Sequence, residues 1–190
     1  YGNTTVDLKL GYNFDDSNRL SASYGIVDAK TKFDDMILDA SWNPDIIASA
    51  NSKAETKTRN SIASLNYENK NNFATTNIYT NYSRFKNESE APSFTSKNKT
   101  DIKEYGIKST IPYLSETSSI TVGAEYKGFE DKEDINRKYN NKAIYLTNTN
   151  KFFDDRTIFT QALRYDKYSN FDNKTTGKIG IKQYIIDELN

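Results

Sequence analysis

Apolar and polar residues alternate with a period of two between Glu104 and Phe129. Tyr105, Ile107, Ser109 and Ile111 share one face of an extended backbone, and Gly106, Lys108 and Thr110 take the other. Beyond a break at Pro112–Thr117, Ile120, Val122, Ala124 and Tyr126 repeat the pattern against Thr121, Gly123, Glu125 and Lys127. Successive side chains of a strand point to opposite faces, so the stretch reads as an antiparallel hairpin with one apolar face. Pro112 and the Ser-Glu-Thr cluster after it supply the turn.

The rest of the chain repeats this unit. Val6, Leu8, Leu10, Tyr12 and Phe14 mark a strand, and Asp15–Asn18 is a tight polar turn. Leu20, Ala22, Tyr24 and Ile26 mark a return strand running to about Lys32. Ala63, Leu65 and Tyr67 belong to the next strand, followed by a turn at Glu68–Asn72 and a strand from Phe73 to Phe85. Lys142–Asn148 is a strand of ambiguous register, through Ala143, Tyr145 and Thr147 or through Ile144 and Leu146. Phe159, Leu163 and Tyr165 return the chain, and Thr175–Tyr184 is a last strand before a further turn at Ile185–Asn190. Between Phe33 and Lys57 the pattern breaks. Met36–Ser41 suits a helical turn there and Asn43-Pro44-Asp45 a reverse turn.

The expected fold is therefore all-β: an antiparallel up-and-down meander of about nine long strands, a transmembrane β-barrel or part of one. Connection lengths bear on the choice. Asp15–Asn18, Glu68–Asn72, Pro112–Thr117 and Asn150–Asp155 are short, whereas Phe33–Lys57, Lys86–Thr100, Glu130–Asn140 and Lys167–Lys174 are longer. Every second connection of a meander lies at the same end, so the short turns gather at one end and the long loops at the other, as in an outer-membrane barrel. Aromatics near turns (Tyr12, Phe14, Tyr24, Phe73, Tyr113, Phe152 and Phe153) fit an interfacial girdle. A soluble or surface-attached β-repeat with an adhesive or structural role is the alternative, since its strands also alternate. A carbohydrate-active β-sandwich would need carboxylates placed across a groove, and the pattern supplies only carboxylates in turns.

Composition removes other functions. The 190 residues include no Cys and no His, which excludes disulfides, thiolate zinc sites and His-based catalysis. With 26 basic and 26 acidic residues, no net charge draws the chain to nucleic acid. No run of about 18 apolar residues exists for a transmembrane helix, and the mean hydropathy is low, at −0.84. It is compatible with strands that are apolar outside and polar inside. No enzyme activity and no cofactor are expected. Paired carboxylates such as Asp15-Asp16, Asp34-Asp35, Glu130-Asp131, Glu133-Asp134 and Asp154-Asp155 are oxygen donors of the kind Ca²⁺ takes, but Asp-rich turns occur without it.

Three stretches carry a resemblance: NFDDSNRLSASYG, STIPYLSETSSITVGAEYKGFED and LRYDKYSNFDNKTTGKIGIKQY. They resemble barrel hairpins of TonB-dependent outer-membrane receptors, the siderophore, haem and cobalamin transporters. The last is the most suggestive, with a strand ending in Arg-Tyr-Asp, a polar loop, then Thr-Gly-Lys-Ile-Gly-Ile. The resemblance implies a receptor in the cell outer membrane that imports a scarce nutrient. Its partners would be a small-molecule nutrient, outer-membrane lipid and a TonB-type energy-coupling protein. Neither a plug domain nor a TonB box is recognisable in this chain, and a barrel of this family has about 22 strands. The chain, 1–190, is thus expected to be one domain, an internal segment of such a barrel.

The ligand-contact candidates lie in the longest loop: Phe33, Asp34, Asp35 and the only tryptophan, Trp42. Loops at the mouth of a rigid scaffold commonly carry binding residues. Trp42 also suits packing against the rim or a place at the membrane interface. With no His to ligate iron, a haem site is not expected within the chain.

Overall fold

The computed structural model describes residues 1–51, 53–114, 117–133 and 137–184. Nine strands form one antiparallel sheet in sequence order: β1 (Gly2–Asn13), β2 (Asn18–Phe33), β3 (Ala54–Lys70), β4 (Thr75–Glu90), β5 (Thr95–Tyr113), β6 (Ser118–Asp131), β7 (Lys138–Phe152), β8 (Thr157–Tyr168) and β9 (Lys174–Gln183). One short helix, α1 (Ile46–Asn51), interrupts the β2–β3 loop. Every strand pairs with its sequence neighbour, and β1 and β9 are the two edges.

The strands are long, as expected, from 10 residues in β9 to 17 in β3 and 19 in β5. Lys86–Thr100, expected as a polar loop, is instead the end of β4, a tight turn at residues 91–94 and the start of β5. Ser, Lys, Asn and Thr pair across these arms as readily as apolar residues do, because the ladder uses backbone groups. Likewise β6 and β7 leave only residues 132–137 between them, and β8 and β9 only 169–173. At the opposite end only four residues separate successive strands (14–17, 71–74, 114–117 and 153–156). The two ends do differ, but one long loop (34–53) and the polar arms of β2 to β5 carry the difference. Pro112 does not break its strand, which continues to Tyr113 in register with Ser118. The expected helical turn at Met36–Ser41 is absent; Leu38 bridges Pro44 there, and the helix starts ten residues later, capped by Asp45 Oδ1 accepting from Ala48 N at 2.9 Å. The turn expected at Ile185–Asn190 lies outside the described residues.

The sheet has one layer, and among the described residues only two apolar ones are buried, Ala54 and Ala143. The accessible surface is 13821 Å² for 21.7 kDa. A compact monomer of that mass exposes about 9,200 Å². Polar residues are the better covered: along β6, Thr121, Gly123, Glu125 and Lys127 are half-buried while Val122, Ala124 and Tyr126 are exposed. The usual arrangement of a soluble sheet is inverted.

Candidate functional site

The register sorts the residues into an apolar and a polar face. Residues directly opposite one another share a face, so one apolar row runs Tyr12, Leu20, Tyr67, Ile78, Ile107, Ala124, Ile144 and Tyr165 across eight strands. This resolves the register of β7, whose Ile144 and Leu146 lie on the apolar face and Tyr145 on the polar one.

The apolar band crosses the sheet at a slant. On β2 it reaches Ile26 at the loop end. Ile26 lies opposite Ser61, and Ser61 opposite Arg84, so on β4 the band already stops at Tyr82. Tyr82 lies opposite Lys103, so on β5 it stops at Tyr105. Tyr126, opposite Tyr105, has Lys142 as its next neighbour, so on β7 and β8 the band stops at Ile144 and Tyr165. The turn-end margin moves the same way, from Leu20 and Tyr67 through Ile111 and Ile120 to Phe159 and Ile181. The limit drops one residue per strand, about 3.3 Å along the chain for each 4.8 Å across the sheet. A flat slab cut through strands tilted by about 35° leaves this trace, and barrel strands tilt by that much.

Tyrosines mark the loop-end margin: Tyr82, Tyr105, Tyr126 and Tyr165. The next positions outward on the same face are Arg84, Lys103, Gly128 and Lys167. Of the aromatics expected in a girdle, Tyr12, Phe14, Phe73, Phe152 and Phe153 are at the turn end, whereas Tyr24 sits within the band, between Ala22 and Ile26. The loop-end tyrosines were legible only as a Tyr two positions from a Lys or Arg (Tyr82 and Arg84, Lys103 and Tyr105, Tyr165 and Lys167), which needs the register to acquire meaning.

Beyond the tyrosines this face becomes charged. Arg84 Nε donates to Asp101 at 2.8 Å, Arg59 pairs with Asp28, and Glu55 receives Lys30 at 2.6 Å and Lys57 at 2.8 Å. The two lysines hold the Glu55 carboxyl down to about 2. At the far side of the sheet Lys132 and Lys138 do the same to Glu130, also about 2. Such pairs stay in water.

The polar face carries a cross-strand network. Tyr79 Oη donates to Glu125 Oε1 at 3.0 Å, reaching over β5. Glu125 Oε2 accepts from Arg164 Nη1 at 2.7 Å, Arg164 Nε donates to Asp166 at 2.9 Å, and Asn141 Nδ2 donates to Asp166 at 2.8 Å. Closer to the loop end, Phe129 and Tyr139 stack at 4.4 Å, and Phe171 meets Tyr139 edge-on at 5.8 Å.

The four candidate residues do not form one cluster. Phe33, closing β2 opposite Ala54, and Asp34 line a cavity of about 590 Å³ with Lys32, Lys53, Glu55 and Glu90. Asp35 is 6% exposed and is not part of that lining. Its Oδ2 accepts from Ser93 N at 2.8 Å, which ties the β2–β3 loop to the 91–94 turn; hydrogen bonding from the Ser93 side chain and then its backbone lowers the carboxyl pKa. Trp42 stands apart at a loop tip, 83% exposed, on a left-handed backbone with φ of 64°. Among the described residues no three carboxylates gather as a metal site would require.

No family model and no curated protein matches the sequence. Solved structures do match the fold. The siderophore receptor PirA from Acinetobacter baumannii aligns with 97% of this chain at TM-score 0.78 and 14% identity, using 32% of its own length. Two variants of the FrpB iron transporter from Neisseria meningitidis, F5-1 and F3-3, align with 94% at TM-scores of 0.62 and 0.63 and 18% identity. The chain spans about a third of the length of these proteins (32–34%). The likeness is one of fold: the nine-stranded antiparallel meander matches a stretch of these receptor and transporter chains.

Proposed function

We propose that residues 1–190 are one segment of the barrel wall of an outer-membrane receptor that takes up iron, free or carried by a siderophore, with energy from a TonB-type partner. The observation that carries this reading is the slanted apolar band on a single-layer sheet. An apolar face of this extent needs a cover, and a bilayer is the cover whose margins cut tilted strands at a constant drop. The iron cargo follows the structural neighbours, which are a siderophore receptor and an iron transporter and not enzymes. TonB coupling rests on the family resemblance.

The loop end faces outward in this reading. Phe33 and Asp34 meet the ligand at the mouth, Asp35 holds their loop in place, and Trp42 lies at the entrance.

The first test is folding. The protein should reach its β-sheet circular dichroism and a heat-modifiable gel migration only in detergent or lipid. A folded monomer in plain buffer overturns the reading and leaves the soluble β-repeat. The second test uses Trp42, the chain's single tryptophan, as reporter. Titrating ferric siderophores into the full-length receptor, with its other tryptophans replaced, should quench Trp42 fluorescence saturably for a cognate ligand.

A further inference from the structure

The apolar face holds a feature that barrel wall alone does not require. A shallow trough of about 910 Å³ runs along it, lined by Ile78, Ile107, Ile144 and Tyr165, and Lys142 and Lys167 are part of the same lining. The two lysines are direct partners in the β7–β8 register, and both are exposed. Like charges directly opposite one another destabilise a strand pair. Among the described residues, neither lysine makes an ion pair or a hydrogen bond. The nearby carboxylates, Glu125 and Asp166, lie on the other face and are engaged by Arg164. Towards the loop end, Lys142 lies next beyond Ile144 and Lys167 next beyond Tyr165 on the same face, at the margin where the apolar band ends.

We propose that Lys142 and Lys167 bind the phosphate of an anionic lipid headgroup, with the lipid's acyl chains lying in the trough. The inference rests on the bilayer-facing reading of this surface. An anion between the two ammonium groups converts their repulsion into a shared attraction. The depth is right for a headgroup, since the interfacial Tyr165 ring separates the lysines from the hydrocarbon-facing Leu163. The lipid is recognised by two chemistries at once: phosphate at the lysines and hydrocarbon along the isoleucines.

The test reconstitutes the full-length protein in phosphatidylcholine vesicles with a minor fraction of phosphatidylglycerol and counts retained lipids by native mass spectrometry after extraction. Phosphatidylglycerol should be retained in preference to phosphatidylcholine. Each lysine near a membrane surface contributes about fivefold to anionic-lipid affinity, so Lys142→Ser with Lys167→Ser should lower the preference roughly 25-fold. Lys142→Glu gives a second handle: it sets opposite charges across the β7–β8 pair, so it should stabilise the protein in detergent while abolishing the preference. Lys9→Ser with Lys178→Ser, on the polar face, should change neither. An unchanged preference in both lysine variants overturns the proposal, as does displacement of the lipid by inorganic phosphate, which would mean that the trough takes no part. Heat-modifiable migration in the same vesicles separates the two failures: a folded protein without lipid preference rejects the site alone, whereas failure to fold in the bilayer rejects the barrel reading and the site with it.

Discussion

The ring of Tyr79 occupies the place where Gly106 would carry a side chain: a Cβ there would stand 2.3 Å from Tyr79 Cζ. The two residues are direct partners on β4 and β5. The close approach lets Tyr79 cross β5 and donate to Glu125 on β6. Tyr145 sits over Gly123 in the same way, again with 2.3 Å to the ring. Gly106→Ala and Gly123→Ala should each destabilise the protein by about 1–3 kcal/mol, the cost of forcing a ring off its site. Gly180→Ala, where a Cβ meets nothing within 4 Å, should be near neutral. Urea unfolding from detergent micelles measures all three.

Leu65 is near the middle of the apolar band on β3, and Asn81 belongs to the polar face of β4. Leu65→Arg should cost about 2–4 kcal/mol for folding into a bilayer, as a cation at hydrocarbon depth does. Asn81→Arg, beside its partner Glu104, should cost little. Refolding yields in lipid vesicles distinguish the two. Equal tolerance of both would mean that the apolar band does not meet lipid.

Asp35→Ala removes the acceptor for Ser93 N. Hydrogen bonds to a charged group contribute about 1.5–3 kcal/mol. Hydrogen exchange at Ser93 should then quicken by roughly 10- to 100-fold, while exchange in the band strands stays unchanged. Because Asp35 ties down the loop that carries Phe33 and Asp34, ligand affinity should fall even though Asp35 does not line their cavity.

Glu55 titrates at about 2 between Lys30 and Lys57, against an ordinary 4.5. A depressed carboxyl pKa stabilises the fold above the unfolded value. That contribution shrinks as pH falls below about 4.5 and is gone below about 2. The β2–β3 arms should therefore keep most of this contribution at pH 4 and lose it towards pH 2, read as faster amide exchange there. Lys30→Ala with Lys57→Ala should move the carboxyl midpoint, read by NMR, back towards 4.5.

The sequence by itself determined the strand count, the meander and the existence of two unlike faces. Those follow from local alternation, as in Tyr105–Ile111 and Ile120–Tyr126, and from turn chemistry such as Asp15–Asn18. It also carried the candidate loop and the family resemblance. It misjudged Lys86–Thr100, because polar residues in a strand look like loop until a partner strand supplies the ladder. It left the register of β7 open, because Tyr145 and Ile144 fit a strand face equally well alone. Only the tertiary structure decided which face each residue joins, since this depends on pairings such as Tyr126 with Lys142 that span separate hairpins. The slant of the apolar band, the tyrosine margin, the Asp35 clasp and the Lys142–Lys167 pair all emerge at that level. Each is a relation between strands, and a period-two pattern records only which of two faces a residue takes, not its height on the sheet.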